Sequence, residues 1–205
     1  MKAYLNQTLE RLLDAVDLPS VLLASFVEKF MPLLPSYVLF PAIGMGAADG
    51  IDLLLRCLIA TIGSVAGAAG WYLVGALGGP HRIRGMVVRY GPSVLLKVAL
   101  YDRIAASYRG RPFGITVAGQ LVPTVRIFQA LPAGVLRLPL LPFLAATAIG
   151  AQCWIVPLAA AGYFLRRQGW SAPQVGTGLF TALLTIEVAA LLIVLAAARW
   201  RSNAS

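Results

Sequence analysis

The sequence predicts an all-α, polytopic membrane protein: two opposed re-entrant (broken-helix) hairpins in an inverted repeat, about three or four spanning helices, and an N-terminal amphipathic helix. Three observations carry this. Of the 205 residues 59% are hydrophobic and 12% charged, with a mean hydropathy of +0.80, more apolar than a soluble domain of this length tolerates at its surface. Two long apolar stretches are interrupted by prolines and ionisable side chains. Those two stretches also resemble each other.

Taken in order, residues 1–18 place Leu5, Leu9, Leu12, Leu13 and Val16 on one helical face and Asn6, Glu10, Arg11, Asp14 and Asp17 elsewhere. A helix of that pattern lies flat at an interface, and it lacks the form of a signal peptide. A transmembrane domain follows over 19–165. Within it, the segments 51–78 and 139–165 supply the roughly 20 apolar residues that a span requires, and 174–200 adds a C-terminal span. The stretches about 21–46 and 112–134 do not qualify as straight spans. The first contains Glu28, Lys29, Pro32, Pro35 and Pro41, the second Gln120, Pro123, Arg126, Gln129 and Pro132. Each proline removes a backbone donor and crowds the preceding turn, so a broken hairpin fits better.

Pro32-x8-Pro41-Ala-x-Gly44 parallels Pro123-x8-Pro132-Ala-Gly134. Each is followed by a similar step, Ala60-Thr61-Ile62-Gly63 and Ala146-Thr147-Ala148-Ile149-Gly150. Each unit is then a broken hairpin plus a spanning helix. Gly63, Gly67, Gly70 and Gly75 form a small-residue face on the first span, best explained by close helix packing.

Charge orients the units. The net charge is +9, and Arg82, Arg84, Arg89, Lys97, Arg103, Arg109 and Arg111 cluster with a single acid, Asp102, which suits a cytoplasmic leaflet. The first hairpin then opens from outside and the second from the cytoplasm. Arg166 and Arg167 fall outside and weaken the bias. No aromatic-interleaved basic face or nucleic-acid motif accompanies the pI near 10.2, so nucleic acid is not an expected partner.

Cys57 and Cys153 form no metal or disulfide pattern and are expected as small core residues; His81 is expected as a solvated residue of a basic loop. No metal or other cofactor is expected. There is no Ser-His-Asp set, GxSxG, HExxH or Walker loop, so an enzyme is not expected.

An ionisable group near the bilayer centre needs a partner or a water-lined cavity. Glu28 and Arg126 occupy comparable places in the two hairpins, and opposed hairpins would bring them together near the midplane. That pair is either structural glue or half of a binding site in which Arg126, with hairpin backbone, holds a phosphate oxygen through its planar fork. In the second case Glu28 alternates between Arg126 and a proton. Arg56 is accounted for by an i,i+4 pair with Asp52. Glu187 has no charged neighbour in sequence and no assigned role.

Glu28 followed by Leu34-Pro35-Ser36, Gly63-x3-Gly67 with Tyr72-x2-Gly75, Pro123-x2-Arg126, Ala133-Gly134 with Arg137, Phe143 and Trp154 together resemble the DedA family, whose shared domain is the SNARE-associated or VTT domain, over about residues 20–165. Where that family usually has an acid after the Leu-Pro-small step, an arginine before the second hairpin's proline and an aspartate after the second helix glycine, this chain has Tyr37, Gln120 and Ala68. Losing one acid and one base leaves the hairpin pair neutral overall, as in a divergent member with a re-tuned site. The resemblance implies two opposed re-entrant hairpins and a lipid transporter, flippase or scramblase, of the bacterial inner (cytoplasmic) membrane. Its cargo would be undecaprenyl phosphate or a phospholipid, with proton coupling and a homodimer as further expectations. Glu28, Gln120, Arg126, Tyr37 and Arg137 are the expected binding and transport residues. A small-ion or proton-coupled antiporter and a non-transporting membrane scaffold are the alternatives.

Overall fold

The computed structural model describes residues 17–30, 36–90, 98–108 and 111–171, together with 174–175, 177–178, 181–182 and 185. The amphipathic helix expected before Asp17, the tip of the first hairpin, Glu187 and most of the expected C-terminal span lie outside the described residues. Within them the chain is helical: α1 (Leu18–Glu28), α2 (Ser36–Met45), α3 (Gly50–Tyr90), α4 (Val98–Ser107), α5 (Pro112–Gln120), α6 (Pro123–Phe128), α7 (Ala130–Val135) and α8 (Leu140–Arg167).

Local chemistry sets the helix starts. Asp17 caps α1, its Oδ1 accepting from the Ser20 amide at 2.9 Å, and hydrogen bonding from the Ser20 side chain, then from that amide, holds its carboxyl below the ordinary range. Asp49 caps the start of α3, accepting from the amides of Ile51 and Asp52 at 2.9 and 2.8 Å. Asp52 accepts in turn from the Ala48 amide and, as its spacing predicts, from Arg56 Nε, each at 2.9 Å.

Two of the three expected spans fall within the described residues, and both are long helices, one longer than the sequence suggests. Helices α3 and α8 are each long and apolar enough to cross a membrane. The outward face of α3 carries Ile51, Leu54, Leu58, Ile62, Leu73 and Leu77, an apolar stripe suited to lipid. Instead of ending near residue 78, α3 kinks at Gly79, which adopts φ 70° and ψ 168°, and resumes through Pro80 to Tyr90. Gly79 supplies a conformation closed to other residues, and Pro80 sits where a new first turn does not need its amide. His81 is therefore exposed but helical, not part of a loop. Ile83 and Val87, one turn apart, pack against Tyr101 of α4 and Phe128 and Leu131, while Arg84 pairs with Asp102 at 3.3 Å on the surface.

Both proline-bearing stretches are interrupted. In the first, α1 stops at Glu28, and α2 begins at Ser36 and runs through Pro41. In the second, α5, α6 and α7 are separated at Leu121-Val122 and at Gln129. Pro123 opens α6 and Pro132 lies in the first turn of α7, positions where no intrahelical donor is lost.

The long helices run antiparallel. Tyr72 of α3 stacks on Phe143 at the start of α8, ring centroids 5.4 Å apart, whereas Cys57 and Ala60 cluster with Ala151 and Ile155 further along α8. Glycines bring the short helices onto them. A Cβ at Gly63 would lie 2.3 Å from the Leu22 carbonyl oxygen of α1, and one at Gly75 2.3 Å from the Leu131 carbonyl oxygen of α7. On α8, a Cβ at Gly150 would meet the Gln120 stem of α5 at 2.5 Å, and one at Gly162 the Pro41 carbonyl oxygen of α2 at 2.1 Å. The glycine face anticipated on α3 is thus a packing seam. Each long helix receives the first limb of its own unit and the last limb of the other: α1 and α7 pack on α3, and α5 and α2 pack on α8. The same sequence interval separates Gly63 from Gly150 and Gly75 from Gly162, so the two halves repeat in contacts as well as in sequence.

Candidate functional site

Helix α1 delivers Glu28 at its last turn, and the short α6 delivers Arg126 from the other half of the molecule. The Arg126 guanidinium donates to Glu28 Oε1, with side-chain exposures of 3% and 1%. The sequence expectation that these two meet holds. Arg126 is further held between aromatic faces, its Cζ 5.3 Å from the Trp154 ring centre of α8 and 5.7 Å from that of Phe40 of α2. Away from water each such cation–π contact is worth on the order of 2 kcal/mol. Four elements therefore converge on one guanidinium.

Further polar side chains of the described residues are buried as well. Lys29, next to Glu28, is 1% exposed, and its ammonium interacts electrostatically with both Glu28 and Arg126. Ser25, one turn earlier on α1, Ser64 on α3 and Thr147 on α8 are also buried, as are Gln120 at the end of α5 and Gln129 between α6 and α7. Among the described residues no hydrogen-bond partner meets Lys29 Nζ, Gln120 Nε2, Arg126 Nε, Gln129 Nε2 or Trp154 Nε1, nor the hydroxyls of Ser25, Ser64 and Thr147. Among the described residues the one buried carboxylate oxygen left unmet is Glu28 Oε2. Buried polar atoms are nearly always paired, so the unmet Arg126 Nε, Glu28 Oε2, Lys29 Nζ and Trp154 Nε1 make the pair and its immediate neighbours the candidate site, one richer in donors than in acceptors. It matches a ligand that carries several acceptors and negative charge.

The remaining expected residues are placed as follows. Gln120 is buried, its stem seated on Gly150. Tyr37 is half-buried in the first turn of α2. Arg137 is exposed and ends α7 with φ 50°: its amide donates to the Gly134 carbonyl at 2.8 Å and the Leu138 amide to the Ala133 carbonyl at 3.1 Å, a left-handed helix cap outside the buried cluster. Cys57 is a core residue as expected, but Cys153 is exposed, one position away from the buried face of α8.

Two further expectations change. The neutral balance inferred from Tyr37 and Gln120 left out Lys29, a third ionisable group buried beside the pair. The penalty for burying an ionisable group in an apolar stretch was the signal that could have singled it out. Gln129, Ser25, Ser64 and Thr147 gave no comparable signal, since uncharged polar residues are common in membrane helices. Arg166 and Arg167, which fitted the charge bias poorly, donate to the Met45 and Ala48 carbonyls at 2.7 and 3.3 Å. Arg166 thereby satisfies the open C-terminal end of α2, and Arg167 a carbonyl of the connection to α3.

The VTT domain family matches residues 34–164, which include α2 to α7 and nearly all of α8; Arg126 falls inside the match, and Glu28 and Lys29 precede it. The chain belongs to that family. It is 28% identical over 138 residues to an "alkaline phosphatase-like protein" of Lactococcus lactis subsp. cremoris, a match covering 66% of this chain and 64% of the relative. The chain thus spans just under two thirds of that relative's length. It is 25% identical over 173 residues to "undecaprenyl phosphate transporter A" of Bacillus subtilis, covering 82% of this chain and 85% of the relative. The namesake in Staphylococcus aureus is 22% identical over 151 residues, covering 73% and 74%. No solved structure matches the chain. As a VTT-domain protein it is a membrane protein of a family with transporter-named members, and the all-helical fold agrees with that.

Proposed function

We propose that this protein is a transporter of the bacterial cytoplasmic membrane that moves a phosphate-bearing lipid, undecaprenyl phosphate or a phospholipid, between leaflets. The single observation that carries the reading is the buried Glu28–Arg126 pair, whose Arg126 Nε and Glu28 Oε2 are unmet, as are Lys29 Nζ next to Glu28 and Nε1 of Trp154 against Arg126. The names of the Bacillus and Staphylococcus relatives point to the same ligand chemistry.

In this reading the stretches 21–46 and 112–134 are re-entrant hairpins that enter from opposite faces, related by a pseudo-two-fold axis in the membrane plane, with the basic end of α3 in the cytoplasm. Their interrupted backbone faces protein in place of acyl chains, which the membrane requires of any non-helical segment. A lipid phosphate reaching the site competes with Glu28 for Arg126. The guanidinium keeps its Nε–H unpartnered beside the Glu28 contact, so its fork can receive a phosphate oxygen as the carboxylate leaves. Gln120 Nε2 supplies a neutral donor. Glu28, displaced, takes a proton or turns toward Lys29, and returns to Arg126 when the lipid departs.

Reconstitution of the purified chain into liposomes with a fluorescent prenyl phosphate tests this. Wild type should carry the probe across the bilayer without releasing inorganic phosphate, and Arg126→Ala should abolish movement while remaining folded. Release of phosphate would favour the hydrolytic activity that the Lactococcus relative's name suggests. Undiminished movement by Arg126→Ala would remove the proposed site.

A further inference from the structure

We propose that Lys29 is a second phosphate-holding cation of this site, and that it makes the site prefer a lipid phosphomonoester to a zwitterionic phosphodiester lipid. This rests on the lipid-phosphate reading above.

A lysine near a helix end in a membrane ordinarily extends its stem to carry the ammonium to water. Lys29 does not: it is 1% exposed, and its Nζ has no partner among the described residues. The fold fixes it there. A Cβ at Gly67 would lie 2.8 Å from Lys29 Cβ and 2.9 Å from Cγ, so α3 carries a glycine where the lysine stem passes. On the backbone side, Trp71 Nε1 donates to the Lys29 carbonyl at 2.8 Å, and the next residue, Phe30, stacks on Trp71 with ring centroids 5.5 Å apart. The C-terminal end of α1 favours a cation, but a solvated lysine would serve that purpose without the cost of burial.

Glu28 cannot neutralise both neighbours. With all three groups ionised, the cluster carries one net positive charge in a low-dielectric interior, a state that an anionic ligand relieves. A phosphomonoester carries a charge of about −1.5 to −2 near pH 7 and presents three acceptor oxygens. Lys29 and Arg126 can grip it together. A zwitterionic head group offers one phosphate charge and brings its own cation into a site that already holds two. The ammonium therefore separates these ligands where Arg126 alone would not.

The test uses the full chain in liposomes with two probes, a fluorescent prenyl phosphate and a fluorescent phosphatidylcholine, and the variants Lys29→Met, Lys29→Arg and Arg126→Ala. Loss of one charged hydrogen bond to phosphate should lower the prenyl phosphate to phosphatidylcholine rate ratio about tenfold or more in Lys29→Met. Lys29→Arg should restore most of that ratio. Lys29→Met should also melt at or above the wild-type temperature, because it removes a buried charge and keeps the stem that Gly67 accommodates. An unchanged ratio overturns the proposal, and so does a lower melting temperature with both probes slowed alike, the mark of a structural ion. If wild type moves neither probe, or Arg126→Ala moves both normally, the lipid-phosphate reading fails and takes Lys29 with it. Loss in Arg126→Ala with an unchanged ratio in Lys29→Met removes Lys29 alone.

Discussion

Replacing Glu28 by glutamine should destabilise the protein more than replacing Arg126 by methionine. Both side chains are at most 3% exposed, so solvent screens little of their interaction. Removing one partner of such a pair costs about 3–5 kcal/mol, chiefly because the other charge stays buried without compensation. The third charge makes the two removals unequal. Glu28→Gln leaves a guanidinium and an ammonium facing each other with no anion, which belongs at the upper end of that range. Arg126→Met leaves the carboxylate beside Lys29, a substitute partner, and belongs at or below the lower end. At about 2–4 °C per kcal/mol for a chain of this size, Glu28→Gln should lower the thermal midpoint by on the order of 10 °C or more, and Arg126→Met by clearly less. Adding Lys29→Met to Glu28→Gln should then recover stability, a coupling of about 1–3 kcal/mol between neighbouring charges. Thermal unfolding in detergent, followed by tryptophan fluorescence, reads all four proteins. A Glu28→Gln variant that melts with the wild type, or one that Lys29→Met destabilises further, would refute the charge count.

Other consequences concern the packing and caps. A Cβ at Gly134 would lie 1.9 Å from the Tyr72 carbonyl oxygen, a backbone atom that cannot swing away, so Gly134→Ala should cost on the order of 3 kcal/mol or fail to fold, as its thermal midpoint will show. Gly85 is exposed within the helical continuation of α3 with nothing within 4 Å of its would-be Cβ; Gly85→Ala should raise stability by about 0.4–1 kcal/mol in the same assay. Arg137 holds a left-handed conformation that costs a non-glycine residue roughly 1–2 kcal/mol, so Arg137→Gly should raise the midpoint by a few degrees after glycine's entropy is deducted. A fall would mean that the guanidinium has a partner worth more than the strain.

The features legible in the sequence were those with strong local causes. Prolines and charges in apolar stretches located the interruptions, because each removes backbone hydrogen bonding or carries a burial penalty that a straight span cannot absorb. The Asp52–Arg56 pair followed from spacing alone. The extension of α3 was hidden because Gly79-Pro80 is a breaker in most contexts. Here Gly79 takes a positive φ and lets the chain resume as an amphipathic helix, with Ile83 and Val87 turned inward. Arg166 and Arg167 were misleading for a different reason. Charge bias assigns an arginine to a side of the membrane, but these two answer to carbonyls far away in the chain, one at the end of α2 and one in the connection after it. The exchange of limbs, with α7 on α3 and α2 on α8, is likewise a long-range choice: a glycine seam announces close packing without naming the partner.

The packing also bears on why a buried ion pair is present at all. If Glu28 and Arg126 existed only to pin the two halves together, apolar residues of similar volume would do so as well or better, since burying two charges usually costs more than their attraction returns. The halves are in any case already joined. Each long helix grips a limb of the other unit along a glycine seam, at Gly75 and Gly134 on one side and at Gly44 and Gly162 on the other, where backbone meets backbone at distances that admit no side chain. Cohesion therefore does not require charge at the centre, and it still less requires a buried Lys29 next to Glu28 with its Nζ unmet. A cluster that is unnecessary for holding the fold, and costly to bury, is better accounted for by a ligand whose acceptors complete it.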